Sequence, residues 1–368
     1  MNQFLNRFEL KSKNYTNTSP FIIAEAGTAH GGNIEKAFEL IDAASESGAH
    51  CVKFQHVYAS EIIHQKTGAV PLPGGSIPLY SRFKEIEQNI EFFARLKEHC
   101  KRRDVVFLCT PFGPKSAEEL YALGIDAVKI ASPELNYDEL LEIAAQHEVP
   151  VLLSSGVSTL SDIDRALGIL RDSRVVLLHC ITAYPAPEEE YNLNLIASLH
   201  SVTGVPCGIS DHSLDPVLIP CLSIAKGAVV IEKHLCLSRK DDGLDDPIAL
   251  EPEQFSVMVR TLKSVCTLEA HEIIARFSQE YGQDRIAAIL GNGYKHLARS
   301  EAANYGRTNR SIHALSDIEI GMLFTKANTA VLRTEKILRP GLPPRYMPVV
   351  LGRQARRRVE AGDRKSVV

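Results

Sequence analysis

The sequence has no closely spaced cysteine pairs. Its eight cysteines, Cys51, Cys100, Cys109, Cys180, Cys207, Cys221, Cys236 and Cys266, mostly sit inside apolar runs. That argues against a disulfide framework or a thiolate metal site and fits reduced, buried thiols in a cytoplasmic protein. Long apolar runs are missing too. No stretch approaches a membrane span, and Met1 to Ser19 is polar and mixed in charge, without the apolar core of a signal peptide. An excess of either charge is likewise absent. A formal net charge of −4 over 368 residues gives no broad attraction to nucleic acid or to a membrane surface. The expected partner is a small molecule, since local basic patches can still bind small anions.

With 45% hydrophobic and 23% charged residues, the chain can bury a large core. Eight short apolar runs recur, most of them bounded by Gly, Pro or polar clusters and most followed by a helix-compatible stretch: 21–25, 51–55, 105–110, 127–131, 151–154, 175–180, 205–209 and 228–234. This is the rhythm of a parallel sheet. Eight such units predict an α/β fold, a TIM (β/α)8 barrel, which needs about 250 residues and leaves a small C-terminal appendage. Helical periodicity appears over 33–47, 86–101, 116–123, 137–147 and 161–171, with Asn33, Asp138 and Ser161 as starts and Gly48 and Gly124 as stops. One further helix is expected from Glu251 to about Ala275, then a polar connector from Asp284 to Tyr305. The domain reading is a barrel over 1–280, a linker over 281–308 and a compact domain with little helix over 309–368. Within the last, Gln354 to Arg358 and Asp363 to Val368 read as solvated or frayed.

Catalytic groups of such barrels gather at the C-terminal strand ends. Those ends carry Glu25; Lys53 and Gln55; Thr110; Lys129, Ser132 and Glu134; Ser154 and Ser155; Tyr184; Ser210, Asp211 and His212; Glu232 and His234. Either lysine alone could be a solvated rim residue. Two lysines inside apolar strands, where an unpaired charge is costly, instead predict an anion site completed by Thr110, Ser132, Ser154 and Ser155. His212 and His234 end successive strands and form a candidate metal pair, with Glu25 as a possible third ligand.

The runs AEAGTAHGG (24–32), VKFQ (52–55), CTPF (109–112), VKIASPE (128–134), LSSG (153–156), HCITAYP (179–185), ISDHS (209–213) and EKHL (232–235) resemble the N-acetylneuraminate (sialic acid) synthase family, especially its spore coat polysaccharide branch. NRSIHA (309–314), Gly321 and RPG (339–341) resemble its C-terminal antifreeze-like (SAF) domain. The resemblance implies condensation of phosphoenolpyruvate with an N-acyl amino-sugar aldehyde and water, giving a nine-carbon 2-keto sugar acid and phosphate. It assigns phosphoenolpyruvate to Lys53, Thr110, Lys129, Ser132, Ser154 and Ser210 or Ser213. It assigns the sugar to Glu25, Gln55, Tyr184 and Asp245, and a divalent metal, Mn2+ or Mg2+, to His212 and His234. Glu134 is implied as the acid/base group for the attacking water, with Glu25 and His234 also at the chemistry. A homodimer is implied, in which one chain's tail caps the other's barrel and Arg339 reaches the partner's sugar.

Departures fall on the sugar side: Ala29 and Thr182 stand where the family usually has Asn, and Leu235 where it has an aromatic. The acceptor therefore stays open among N-acetylmannosamine and deoxy, diacetamido or phosphorylated relatives. Competing readings are a phosphoenolpyruvate aldol synthase for another sugar, an amidohydrolase, which would want paired histidines at strand one where only His30 appears, and a non-catalytic saccharide-binding protein. The intact Glu134, Lys53, Lys129, His212 and His234 favour catalysis.

Overall fold

The computed structural model describes residues 6–72 and 75–362. Residues 1–5, 73–74 and the closing 363–368, the last expected to be frayed, lie outside the described residues. Eight parallel strands form a closed barrel: β1 (Phe21–Gly27), β2 (Cys51–His56), β3 (Val106–Pro111), β4 (Val128–Ile130), β5 (Val151–Ser154), β6 (Val175–Cys180), β7 (Cys207–Asp211) and β8 (Val230–His234). Neighbours in the barrel are neighbours in sequence, and β8 closes on β1. The strands read as near-continuous apolar runs because both faces are covered, the inner by packed side chains and the outer by helices.

Each strand is followed by a covering helix: α1 (Ile34–Glu46), α2 (Ile90–Arg102), α3 (Pro114–Ala122), α4 (Asp138–Ala145), α5 (Leu160–Ile169), α6 (Asn194–Thr203), α7 (Leu218–Ala225) and α8 (Pro252–Val265). Asn33 caps α1, its side chain accepting from the Glu35 and Lys36 amides. Ser161 is not the start of α5. Thr159 is, in a reciprocal pair with Asp162.

Two regions differ from the sequence reading. The polar N-terminal segment forms a hairpin, Phe8–Leu10 with Lys13–Tyr15, whose Phe8, Leu10 and Tyr15 pack on Phe21, Leu152 and Val230. Apolar side chains at alternate positions thus close the N-terminal end of the barrel. The single helix expected from 251 to 275 is two, α8 and α9 (Ala270–Tyr281), divided at Glu269, whose amide is capped by Glu272. The expected connector begins as a third helix, α10 (Gln283–Leu290), held by buried Ile286 and Ile289.

The C-terminal unit pairs β9 (Arg310–Ala314) with β10 (Thr329–Arg333) in antiparallel register. Ile312, Ile318, Phe324, Val331 and Val359 are buried in it, and their cluster is continuous with the core of the barrel. It docks on the mouth of its own barrel. Asn136 donates to the Arg310 carbonyl and accepts from its amide, both at 3.0 Å, and Asn309 donates to the Val157 carbonyl at 3.0 Å. This is the place where the sequence reading expected the unit of a partner chain.

Candidate active site

Strand register assembles the mouth. His234 pairs with Glu25 across β8 and β1, Glu25 with Lys53 across β1 and β2, Gln55 with Thr110 across β2 and β3, and Ser210 with Glu232 across β7 and β8. A cavity of about 230 Å³ opens there, lined by Glu25, Lys53, Gln55, Thr110, Lys129, Ser132, Ser154, Tyr184, Ser210, His212, His234 and Asp245. Twelve residues singled out from sequence therefore meet in one space. Glu134, Ser155, Ser213 and Arg339 are not among its lining residues.

On one side lie two ammonium groups and two carboxylates, all nearly free of solvent. Lys53 Nζ is 2.9 Å from Glu25 and 3.5 Å from Glu232, and Lys129 Nζ is 3.8 Å from Glu232. Gln55 Nε2 donates to Glu25 Oε1 at 2.8 Å, and Ser210 Oγ donates to Glu232 Oε1 at 2.8 Å. Burial alone would lower the Lys53 amine, but Glu232 and Glu25 raise it above the usual lysine range. Burial holds the Lys129 amine below that range against the pull of Glu232. For Glu232, burial is overcome by Lys129 and Lys53, which keep it ionised; the Glu25 carboxyl is raised by burial, with Lys53 opposing and Glu232 adding. Of the described residues lining the cavity, the Ser154 hydroxyl, Glu25 Oε2 and Glu232 Oε2 are buried with no hydrogen-bond partner, and of these the two carboxylate oxygens have Lys53 as an ion-pair partner. A buried donor left open beside two lysines is what an absent anion would satisfy.

On the other side, the His212 and His234 rings are 5.4 Å apart, and Tyr184 stacks on His212 at 4.3 Å. His212 Nδ1 donates to the Ile181 carbonyl at 2.7 Å, so Nε2 is the nitrogen left for a metal once it has lost its proton; burial would lower this ring, but Cys180 and the Ile181 carbonyl push it up to about 9. Burial, aided by the positive charge of His212, holds His234 well below the ordinary histidine range, so His234 presents a neutral ring. This pair suits a divalent cation that takes its other ligands from substrate and water. Glu25 is committed to Lys53 and Gln55, and no group of three His, Cys, Asp or Glu side chains poised for a metal occurs among the described residues. Asp245, 3.9 Å from His234, is pushed up to about 6 by burial and by Glu25. Water at its 31% exposed side chain moderates that push.

Four expected residues meet different surroundings. Glu134 is fully buried behind the cavity wall, 2.8 Å from both Arg310 and Arg333 through Oε1, and Arg333 also donates to Oε2 at 2.9 Å. Both oxygens are occupied. Ser213 lies beneath the mouth, where its hydroxyl accepts from Lys233 Nζ at 3.1 Å, and Ser155 Oγ donates to the Leu178 carbonyl at 3.1 Å. Arg339 is exposed, while Arg333, at the end of β10, supplies the guanidinium that lines the cavity.

Sequence reasoning assigned no role to Glu232 and overlooked Arg333. The signal for Glu232 was the one applied to the lysines, a charge inside the apolar run VVIEKH. For Arg333 the signal was an arginine ending the apolar run AVLR. No helix among the described residues is long and apolar enough to cross a membrane.

The NeuB family model matches residues 40–273, well over half of the chain. Spore coat polysaccharide biosynthesis protein SpsE of Bacillus subtilis is 32% identical over 93% of this chain and 91% of its own length. N,N'-diacetyllegionaminic acid synthase of Campylobacter jejuni is 32% identical over 85% of this chain and 90% of its own. The crystal structure of B. subtilis SpsE superposes with a TM-score of 0.81 at 30% identity, covering 97% of both chains. Barrel, mouth chemistry and relatives agree: the chain belongs to the NeuB family and is a phosphoenolpyruvate-dependent sugar-acid synthase, a transferase.

Proposed function

We propose that this enzyme condenses phosphoenolpyruvate with the open-chain aldehyde of an N-acyl amino sugar such as N-acetylmannosamine and with water, releasing phosphate and a 2-keto sugar acid. The observation that carries the reading is the open Ser154 hydroxyl beside the Lys53 and Lys129 ammonium groups. Together with Thr110, Ser132 and Ser210 these groups offer donors to a phosphate and a carboxylate held close together. His212 and His234 would hold a divalent metal, Mn2+ or Mg2+, which when bound supplies Lewis-acid polarisation of an aldehyde oxygen. Gln55, Tyr184, Asp245 and Arg333 face the remaining space and suit the hydroxyl and N-acyl groups of the acceptor. The eight free cysteines support a cytoplasmic setting.

The chain's own residues divide the chemistry. Lys53 and Lys129 fix phosphoenolpyruvate so that its methylene carbon faces the aldehyde carbon, and the new carbon–carbon bond forms between them. Glu25, with its raised carboxyl, can deliver a proton to the oxygen that was the aldehyde. The carboxylate it becomes can then take the proton of the water that adds to the cationic carbon. The resulting tetrahedral centre expels phosphate, whose charge Lys129 and Ser154 receive. Glu134 acts behind the wall, aiming Arg333 at the cavity.

Phosphate release from phosphoenolpyruvate, measured with Mn2+ or Mg2+ and a panel of free and phosphorylated amino sugars, tests the proposal. At least one amino sugar should support turnover that Lys53→Met and Lys129→Met both abolish. No acceptor-dependent phosphate release with any sugar would overturn it.

A further inference from the structure

The segment joining the barrel to the C-terminal unit places an acid where no solvent reaches. Glu301 is fully buried. Its Oε1 accepts from the Val157 amide at 2.8 Å and from the Thr182 amide at 2.6 Å. Val157 follows the LSSG run of β5 and has a φ of 42°, a left-handed conformation that a β-branched residue adopts only when held. Thr182 follows β6, lines the cavity and lies two residues before Tyr184.

Other bonds converge on the same place. The Gly156 amide donates to Ser132 Oγ at 3.0 Å. A Cβ at Gly156 would run into Thr182 Oγ1, come within 2.9 Å of Ser132 Oγ and within 3.1 Å of Glu301 Oε1. Lys295, from the same joining segment, donates to the Ser155 carbonyl at 3.1 Å, and Asn309, at the head of the C-terminal unit, to the Val157 carbonyl at 3.0 Å. The loops after β5 and β6 are thus tied together through a carboxylate that belongs to neither.

A buried carboxylate is expensive, and two loop amides could be served by water. A fixed carboxylate oxygen additionally imposes the direction and spacing of both amides. We propose that Glu301 is a positioning residue that sets the phosphoenolpyruvate cradle from the joining segment, by fixing the β5 and β6 loops around Ser132 and Ser154. This rests on the reading of Lys129, Ser132 and Ser154 as that cradle. Because the same segment leads through Asn309 into the C-terminal unit, docking of that unit and the order of the cradle are one event.

The test is steady-state kinetics of the metal-loaded full chain with both substrates varied, alongside amide hydrogen exchange. Misplacement of positioned groups can cost up to about 10²-fold. Glu301→Ala should raise the KM for phosphoenolpyruvate by roughly 10-fold or more, raise the sugar KM clearly less, through the Thr182 loop alone, and speed exchange at Val157 and Thr182. Glu301→Gln keeps one oxygen for both amides and should restore most of the phosphoenolpyruvate affinity. If Glu301→Ala does not fold, Glu301→Asp, one methylene too short to reach, should show the same split between the substrates. An unchanged phosphoenolpyruvate KM, parallel rises in both KM values, or no rescue by Gln would overturn the inference alone. A wild-type enzyme that binds no phosphoenolpyruvate would overturn the active-site reading and this inference with it.

Discussion

Replacing Lys129 by Met keeps the length of the side chain and removes one of the two cavity ammonium groups. In the free enzyme the change is nearly balanced. Burial already disfavours the Lys129 charge, and Glu232 would keep Lys53 at 3.5 Å and the Ser210 hydroxyl at 2.8 Å. Thermal stability should therefore move by only a few degrees. Phosphoenolpyruvate should suffer far more, since a hydrogen bond to a charged group contributes roughly 1.5–3 kcal/mol. Lost from a site only 2% exposed, that predicts affinity weaker by about 10- to 150-fold. Calorimetric titration of wild type and variant with phosphoenolpyruvate in the presence of Mn2+ measures it, with a melting curve as control. Unchanged affinity, or an affinity loss accompanied by a large fall in melting temperature, would refute the assignment of Lys129 to the anion.

Arg333→Ala should lose most activity while Arg339→Ala stays near wild type, because only Arg333 lines the cavity; mixed Arg333→Ala and Lys129→Met chains should not complement if the C-terminal unit closes its own barrel. His212→Ala or His234→Ala should abolish Mn2+ binding by calorimetry and the rise in melting temperature that Mn2+ gives wild type, and full retention of both would remove the metal pair. Burial pushes His30, His179 and His313 down to about 4, so each binds its proton more weakly folded than unfolded. Their stabilisation is complete above the unfolded value of about 6.5 and is lost as pH falls toward 4, by about 1.4 kcal/mol per pH unit for each proton; denaturant midpoints at pH 7, 6 and 5 check this, and a flat profile would contradict it. Phosphoenolpyruvate titrations at neutral pH in buffers of different ionisation enthalpy should report uptake of about one proton, absent in Glu25→Gln.

The barrel was legible because its strands are buried on both faces, which makes them stand out as apolar, β-branched runs. The charged residues interrupting those runs were legible for the same reason, as costs that need an explanation. Where the reading fell short, the deciding contact was distant. Glu134 can be recognised from the VKIASPE run, but its partners Arg310 and Arg333 lie 176 and 199 residues away, and nothing local says that both its oxygens are occupied. Arg339 sits in the more conspicuous RPG turn, yet it is the register of β9 and β10 that turns Arg333 toward the mouth. Glu301 had no local signal at all, since its meaning lies in two amides from loops more than a hundred residues earlier. Apolar pattern specifies elements, whereas the direction of a carboxylate depends on how two separately folded regions dock.

The charges lining the cavity bear on how the reaction is supplied with its proton. Lys53, Lys129 and Arg333 offset Glu25, Glu232 and Asp245, so apart from the proton on His212, which a bound metal would displace, the free site is close to neutral, and the Glu134 that shares Arg333 has Arg310 to balance it. Phosphoenolpyruvate brings about three negative charges, nearly two on its phosphate and one on its carboxylate. Left uncompensated inside low-dielectric walls, these would be strongly opposed. A divalent cation held by His212 and His234 would offset two of them. The third is offset most easily at the carboxyl that burial has already raised, Glu25, while Glu232 is kept ionised by both lysines. On the proposed mechanism, binding the anion would favour a proton on Glu25, and Glu25 adjoins Gln55 and the His234 side of the mouth, where the acceptor is proposed to lie. In the proposed mechanism the acid required at the former aldehyde oxygen would thus be a consequence of phosphoenolpyruvate binding, which would tie protonation to the presence of the substrate that makes it useful.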